Sequence, residues 1–229
     1  MDFDNDDLVL ETSPDLDLDL DLDLDLDLDE ILDGVQPDFF RQGLDLYQQN
    51  KVEESIVAFQ KEIEVNPENA NAYNNLGFIY YQKSQWNDTI IACQKAIELK
   101  PDYAEAYWNL GFAHEMLDDY ESAAVAFKKG LDIQPGNSEM YTNLGNMYVR
   151  LGQYEEAVNS FENAVLFDPE NSVSHNNLGV AQYQNGDYPA AVSSFQRAVD
   201  IAPQYQEAQN NLAAAKVRVD PLEGLEIEI

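Results

Sequence analysis

The sequence predicts an all-α fold, a right-handed α-solenoid of helix-turn-helix repeats that follows a disordered acidic N-terminal tail. The first observation behind this prediction is a residue pattern that returns every 34 residues over about three quarters of the 229-residue chain. Within each copy, apolar residues are spaced three or four apart, as in helices rather than strands. The third observation is charge, because residues 1–33 hold 15 of the 44 Asp and Glu residues and none of the 12 Lys and Arg residues.

The acidic tail spans residues 1–35, and residues 15–29 alternate strictly between Asp and Leu. In a strand these Asp would lie ~7 Å apart and repel by ~0.6 kcal/mol per pair, whereas each buried Leu contributes ~1.5–3 kcal/mol. Charge therefore permits a strand, but a lone strand has no neighbour to bond, and strict alternation suits no helix. We expect the tail to be disordered in isolation and to bind partners transiently through its Leu side chains. Because residues 15–29 lack glycine, we expect no specific calcium site there.

Four series of residues keep the 34-residue phase, and tandem duplication explains all of them. They are a proline (Pro67, Pro101, Pro135, Pro169, Pro203), a Leu-Gly pair (beginning at Leu76, Leu110, Leu144, Leu178), an aromatic residue (Phe59, Phe127, Phe161, Phe195) and an alanine (Ala123, Ala157, Ala191). Five copies therefore occupy residues 36–205, as 36–69, 70–103, 104–137, 138–171 and 172–205. In the second copy Cys93 takes the aromatic position, which predicts a buried packing thiol rather than a nucleophile.

Each copy is predicted to contain two helices. In the fourth copy Leu144 and Tyr148 fall on one face of the first helix, Gly152 marks the break, and Pro169 marks the end of the second helix. Small residues let the two helices approach closely, and aromatic side chains fill the space between them. After the last copy, residues 206–219 are predicted to form a single capping helix, followed by an acidic-hydrophobic tail at 220–229.

The fourth copy carries the residues of a known repeat, namely Tyr141, Leu144, Gly145, Tyr148, Ala157, Phe161 and Pro169. This pattern resembles the tetratricopeptide repeat (TPR), with Tyr in place of the usual Trp. The first copy departs from it, since Gln42-Gly43 replaces Leu-Gly and Ser55 replaces alanine, so we interpret it as a degenerate capping repeat. The resemblance implies a non-enzymatic adaptor or assembly scaffold with a concave groove lined by the first helix of each repeat.

The candidate groove residues follow from their offset to the Leu-Gly pairs. An asparagine precedes each pair, and aromatic or acidic residues share its helical face. The candidates are Asn75, Asn109, Asn143, Asn177, Asn211, Asn74, Phe78, Trp108, Phe112, Glu105 and Glu139. An amide both donates and accepts, so a row of them can bond the main chain of an extended peptide, as the resemblance to peptide-binding members of the family implies. The alternative is that the row is only a polar surface typical of the family.

The charge of the groove predicts a neutral-to-basic peptide, with the three aromatic candidates as an apolar anchor. Chaperone adaptors of this family grip a C-terminal carboxylate with Lys and Arg, whereas the groove positions here hold Glu105, Glu139 and Glu207. We therefore expect weak or no binding of an anionic C-terminus. Two other functions stay open: an assembly or buffering factor whose acidic tail binds a basic client, and a self-associating structural subunit, although a monomer is favoured.

Other functional classes are disfavoured. No catalytic or cofactor-binding motif occurs, and the only imidazoles, His114 and His175, are not spaced as metal ligands, so we expect no enzyme, cofactor or metal site. The net charge of −32 opposes binding to nucleic acid or to an anionic membrane surface. No run approaches the ~18 apolar residues that cross a bilayer, and the N-terminus has no signal-peptide pattern. We expect a cytoplasmic protein without membrane insertion.

Overall fold

The computed structural model describes residues 37–220, which form eleven α-helices and no β-strand within that range. The helices are α1 (Phe39–Gln48), α2 (Val52–Val65), α3 (Ala70–Gln82), α4 (Trp86–Leu99), α5 (Ala104–Met116), α6 (Tyr120–Ile133), α7 (Ser138–Arg150), α8 (Tyr154–Phe167), α9 (Ser172–Gln184), α10 (Tyr188–Ile201) and α11 (Gln206–Val219). None of these eleven helices is both long and apolar enough to cross a membrane. The predicted N-terminal tail and residues 221–229 lie outside the described residues.

The described chain divides into two compact units, the first unit with α1–α5 (residues 37–117) and the second unit with α6–α11 (residues 118–220). Within each unit, every helix packs against the helix that follows it. The first helices of successive repeats also contact each other, as α3 with α5 in the first unit and α7 with α9 in the second. This packing of successive helix pairs confirms the predicted all-α solenoid fold class.

Asparagine side chains begin three of the first helices. The Oδ1 atom of Asn69 accepts hydrogen bonds from the backbone N–H groups of Asn71 and Ala72 at 3.1 and 3.2 Å. Asn137 and Asn171 cap α7 and α9 in the same way. Such caps satisfy N–H groups that have no partner inside the helix. Each capping asparagine lies two residues after the repeated proline, so the stop of one helix and the start of the next are encoded together.

The turn between the two helices of a repeat contains one residue with left-handed backbone. These residues have φ between 58° and 87° and recur every 34 residues, at Asn50, Ser84, Asp118, Gly152 and Gly186. Glycine adopts this conformation without steric strain, and Asn and Asp tolerate it better than other residues. The sequence predicted the break only where a glycine marked it, although the same turn occurs in all five copies.

Glycines set the distance between the two helices of a repeat. A Cβ atom added at Gly145 would lie 2.7 Å from the Phe161 ring, and one at Gly179 would lie 2.6 Å from the Phe195 ring. In the second copy, a Cβ atom added at Gly77 would lie 2.7 Å from the Sγ atom of Cys93. Cys93 is fully buried at this contact, which confirms the predicted packing thiol.

The last helix, α11, covers the apolar side of α10. Leu212 and Ala215 of α11 form one buried cluster with Ala191 and Phe195 of α10. Ala213 stands where the other copies have the packing glycine, and it is exposed to solvent. The final helix therefore buries one face against the repeats and leaves another face exposed to solvent, as a capping helix does.

Candidate functional site

The candidate residues lie on the first helices of the repeats. We call the surface that carries them the first-helix face, formed by α3 and α5 in the first unit and by α7, α9 and α11 in the second. In the first unit, the Nδ2 group of Asn109 on α5 donates a hydrogen bond of 3.2 Å to Oδ1 of Asn74 on α3. This bond ties two of the predicted residues across neighbouring repeats.

Burial separates the asparagines of α3 from the others. Asn74 and Asn75 are 0% and 2% exposed, so neither side chain is displayed on the surface. Asn109, Asn143, Asn177 and Asn211 are half-buried. The Nδ2 atom of Asn74 and the Nε1 atom of Trp108 are both buried and have no hydrogen-bond partner among residues 37–220. Unpaired buried donors are rare in proteins, because removing a donor from water without a partner is unfavourable.

An aromatic cluster accompanies the asparagines of the first unit. The rings of Phe112 on α5 and Tyr81 on α3 are 5.9 Å apart, and Tyr81 is 5.1 Å from Trp86 on α4. Phe78 instead packs against the buried core around Phe59. Tyr81 was not among the predicted residues, although its position three residues after Phe78 places it on the same side of α3.

In the second unit, one asparagine pair repeats the first-unit bond and adds a carboxylate. The Nδ2 group of Asn211 donates to Oδ1 of Asn176 at 3.0 Å. The Nδ2 group of Asn176, which is 1% exposed, donates to Oε1 of Glu207 at 3.5 Å. The hydroxyls of Thr142 on α7 and Ser174 on α9 form a further link of 3.2 Å. The sequence pattern does not single out Asn176, because the repeated asparagine is the one that directly precedes the Leu-Gly pair.

Two acidic residues lie one helical turn before amides of the row, and the arginines near the ends of α7 and α11 contact tyrosine rings. Glu105 is half-buried and Glu139 exposed, each in the first turn of its helix. Arg150 and Arg218 lie 4.5 Å from the ring centres of Tyr120 and Tyr188 and donate to their hydroxyl groups.

The geometry of the first-helix face suits hydrogen bonding. Side-chain amides and hydroxyls from successive helices lie at bonding distance, and their donors and acceptors match those of a peptide main chain. Within residues 37–220, no group of three or more His, Cys, Asp or Glu side chains is arranged to hold a metal ion.

Models of known repeat families match most of the described residues. Models described as TPR repeat match residues 43–84, 79–118 and 145–186. Models described as Tetratricopeptide repeat match residues 104–137, 126–159 and 172–205. A comparison with curated proteins finds no significant match.

Solved structures share the fold. A crystal structure of MamA protein is 24% identical, with a TM-score of 0.67, and the match covers 74% of this chain and 92% of MamA. The structure of YrrB, described as a TPR protein with an unusual peptide-binding site, is 19% identical, with a TM-score of 0.71 over 80% of this chain and 95% of YrrB. TTC0263, a thermophilic TPR protein in Thermus thermophilus, is 18% identical, with a TM-score of 0.51 over 78% and 97% of the two chains.

Proposed function

The chain belongs to the tetratricopeptide repeat family, and from that premise we propose that it is a non-enzymatic adaptor or assembly scaffold that binds an extended peptide segment of a protein partner. The peptide lies along the first-helix face of a unit. Its main chain bonds to side-chain amides, and its side chains meet the aromatic and acidic neighbours of those amides.

A row of half-buried amides at one position of the repeat carries the proposal. These are Asn109, Asn143, Asn177 and Asn211. Asn109 and Asn211 are each oriented by a bond to the asparagine of the preceding repeat. That bond occupies one of the hydrogen-bonding positions of each amide, and several remain for the N–H and C=O groups of a peptide. An amide already held in place loses less conformational freedom on binding.

The charges on the face favour a neutral-to-basic segment. Glu105 in the first unit and Glu139 in the second lie beside the amides, and Arg150 is engaged by the Tyr120 ring. An anionic segment would meet repulsion, whereas Lys or Arg would meet complementary charge. The description of YrrB as having a peptide-binding site adds support, because it has the same fold.

A pull-down with a double variant tests the proposal. The full chain carrying Asn143→Ala and Asn177→Ala, both on the first-helix face of the second unit, is compared with the wild type, and Asn87→Ala serves as the control because Asn87 is exposed on α4. We expect the double variant to lose the captured partners and to bind the mapped partner segment at least tenfold more weakly by calorimetry, since two main-chain contacts of ~1 kcal/mol each disappear. Unchanged partners and affinity in the double variant would refute the proposed role of the amide row in peptide binding.

Removing residues 1–35 distinguishes the groove from the acidic tail. If the first-helix face binds the partner, the shortened chain retains it. Loss of the partner on this deletion, with the double variant unaffected, would instead support an assembly factor that acts through its tail.

As a second check, a peptide ending in an acidic C-terminus should bind weakly or not at all. Micromolar affinity for that peptide would contradict the charge argument.

A further inference from the structure

A groove lies between α3 and α4 in the first unit, on a side of α3 different from the first-helix face. We call it the α3–α4 groove. Its volume is about 570 Å³, and its apolar part is formed by Tyr73, Leu76, Tyr80, Ile91 and Ala92. Tyr73, Leu76 and Tyr80 follow a spacing of three and four residues, so they share one side of α3. Ile91 is 65% exposed, which leaves a large aliphatic side chain in water at the edge of the groove.

The rim of the α3–α4 groove is acidic. It carries Asp88, Glu98 and Lys95, and the Nζ of Lys95 lies 2.9 Å from Oε2 of Glu98. The formal charges of these three groups sum to one negative charge. Burial and, second to it, the charge of Asp88 raise the pKa of Tyr80 to about 12, so the field of that carboxylate reaches the floor of the groove.

The second unit contains an equivalent groove two repeats later, between α7 and α8, which Lys128, Leu131 and Asp132 of α6 also line, with a volume of about 620 Å³. Tyr141, Leu144 and Tyr148 form the same floor, and the positions of Ile91 and Ala92 are held by Asn159 and Ser160. Burial and the charge of Glu156 raise the pKa of Tyr148, as Asp88 does for Tyr80. The α7–α8 groove thus keeps the tyrosines and the acid but lacks the exposed aliphatic edge.

We propose that the α3–α4 groove is a second docking site, which takes an apolar side chain flanked by Lys or Arg from a basic amphipathic segment of a protein partner. The apolar side chain packs between Leu76 and Ile91. The flanking cation lies beside Asp88 on the rim. Burial of the exposed aliphatic surface supplies affinity, and the acid supplies selectivity for cations.

Charge argues for a partner segment rather than for the acidic end of this chain. Residues 1–33 carry 15 acids and no base, although they offer Leu side chains of suitable size. Placing them against Asp88 and Glu98 would bring like charges together, which is unfavourable. A segment with the opposite pattern, Lys alternating with Leu, satisfies both the floor and the rim.

The test uses the ¹⁵N-labelled full chain and a blocked nine-residue peptide of alternating Lys and Leu. Amide shifts in a two-dimensional NMR titration locate the binding site residue by residue, which separates the groove from general attraction to acidic segments. Two control peptides are used, one alternating Lys with Ser and one alternating Glu with Leu. We expect saturable shifts at residues 88–98 with the Lys-Leu peptide and at least tenfold weaker binding of either control.

Three substitutions at exposed positions extend the test without disturbing the core. Ile91→Lys should weaken the Lys-Leu peptide at least tenfold at this groove. Val65→Lys adds the same charge at a 57% exposed aliphatic residue outside the groove and should change affinity less than twofold. In the Asn159→Ile variant, the Lys-Leu peptide should produce new amide shifts at the α7–α8 groove. Equal loss in the two lysine variants, or equal binding of the Lys-Ser peptide, would overturn the proposal.

Discussion

Asn74 in the first unit and Asn176 in the second occupy the same position of the repeat, three copies apart, but only one of them has its donor satisfied. Both accept a hydrogen bond through Oδ1 from the asparagine 35 residues later. Asn176 also donates to Glu207, whereas the Nδ2 of Asn74 is buried and has no partner among residues 37–220. Glu105 lies 31 residues after Asn74, as Glu207 lies after Asn176.

Residues at the same position of the repeat can therefore contribute differently to the free energy of folding. The residues required for the second bond are present in both units, so the difference lies in side-chain position and not in composition. A buried amide without a partner is unfavourable by about 1–3 kcal/mol, which is comparable to the net contribution of several ordinary hydrogen bonds. The first-helix face of the first unit is therefore less well satisfied than that of the second.

The largest expected difference between the units concerns the side chain between paired helices. Phe161 is 1% exposed and packs on Gly145, so Phe161→Ala should lower the free energy of unfolding by about 3–5 kcal/mol through lost burial and a cavity. Cys93→Ala removes one sulfur atom at the equivalent contact with Gly77 and should cost about 1 kcal/mol. Urea unfolding followed by circular dichroism measures both values. Equal losses would show that the two contacts are equivalent in spite of their different size.

Much of the fold could be predicted because each repeat encodes it locally. The Leu-Gly pairs, the Phe series and the prolines fix the helix pairs and their closest contacts, as Gly179 against Phe195 shows. The turn was predicted where a glycine marks it, as at Gly152, because Ser84 does not signal a left-handed backbone by its identity. The conformation there is imposed by the two helices that the turn must connect.

The candidate site was less predictable, because exposure depends on neighbouring helices. Asn75 and Asn177 hold the same position of the repeat, but Asn75 is 2% exposed and Asn177 half-buried. The copy after Asn75 presents Trp108, whereas the copy after Asn177 presents Asn210. The periodic pattern does not specify the bulk of such neighbours, which decides how much of an amide reaches solvent. The peptide-binding role of the amides stays a prediction.

Replacing each of the two buried asparagines by leucine, which has nearly the same shape, tests whether they contribute differently to stability. Asn176→Leu removes two hydrogen bonds and should lower the free energy of unfolding by about 1–2 kcal/mol. Asn74→Leu removes one bond but also an unpaired buried donor, so stability should stay the same or rise by up to about 1 kcal/mol. Urea unfolding of both variants gives the sign and the size of the effect.

Asn87→Leu is the control for this pair, because Asn87 is exposed on α4 and should leave stability nearly unchanged. Equal destabilisation by Asn74→Leu and Asn176→Leu would mean that the two amides are satisfied to the same degree in solution. Such a result would remove the energetic difference inferred between the first-helix faces.

The smallest expected difference lies in the turns, where the first unit has Ser84 and the second has Gly152 at the same position. Ser84 has φ 62° and Gly152 has φ 71°, and a Cβ at Gly152 would meet no atom within 4 Å. Only backbone strain of about 1–2 kcal/mol therefore separates the residues, offset by about 0.5–1 kcal/mol of glycine entropy. Ser84→Gly should stabilise the chain by up to about 1 kcal/mol, and Gly152→Ser should destabilise it by a similar amount. Exchanging both residues should leave the unfolding midpoint unchanged, whereas a shift would show that the two turns bear different strain.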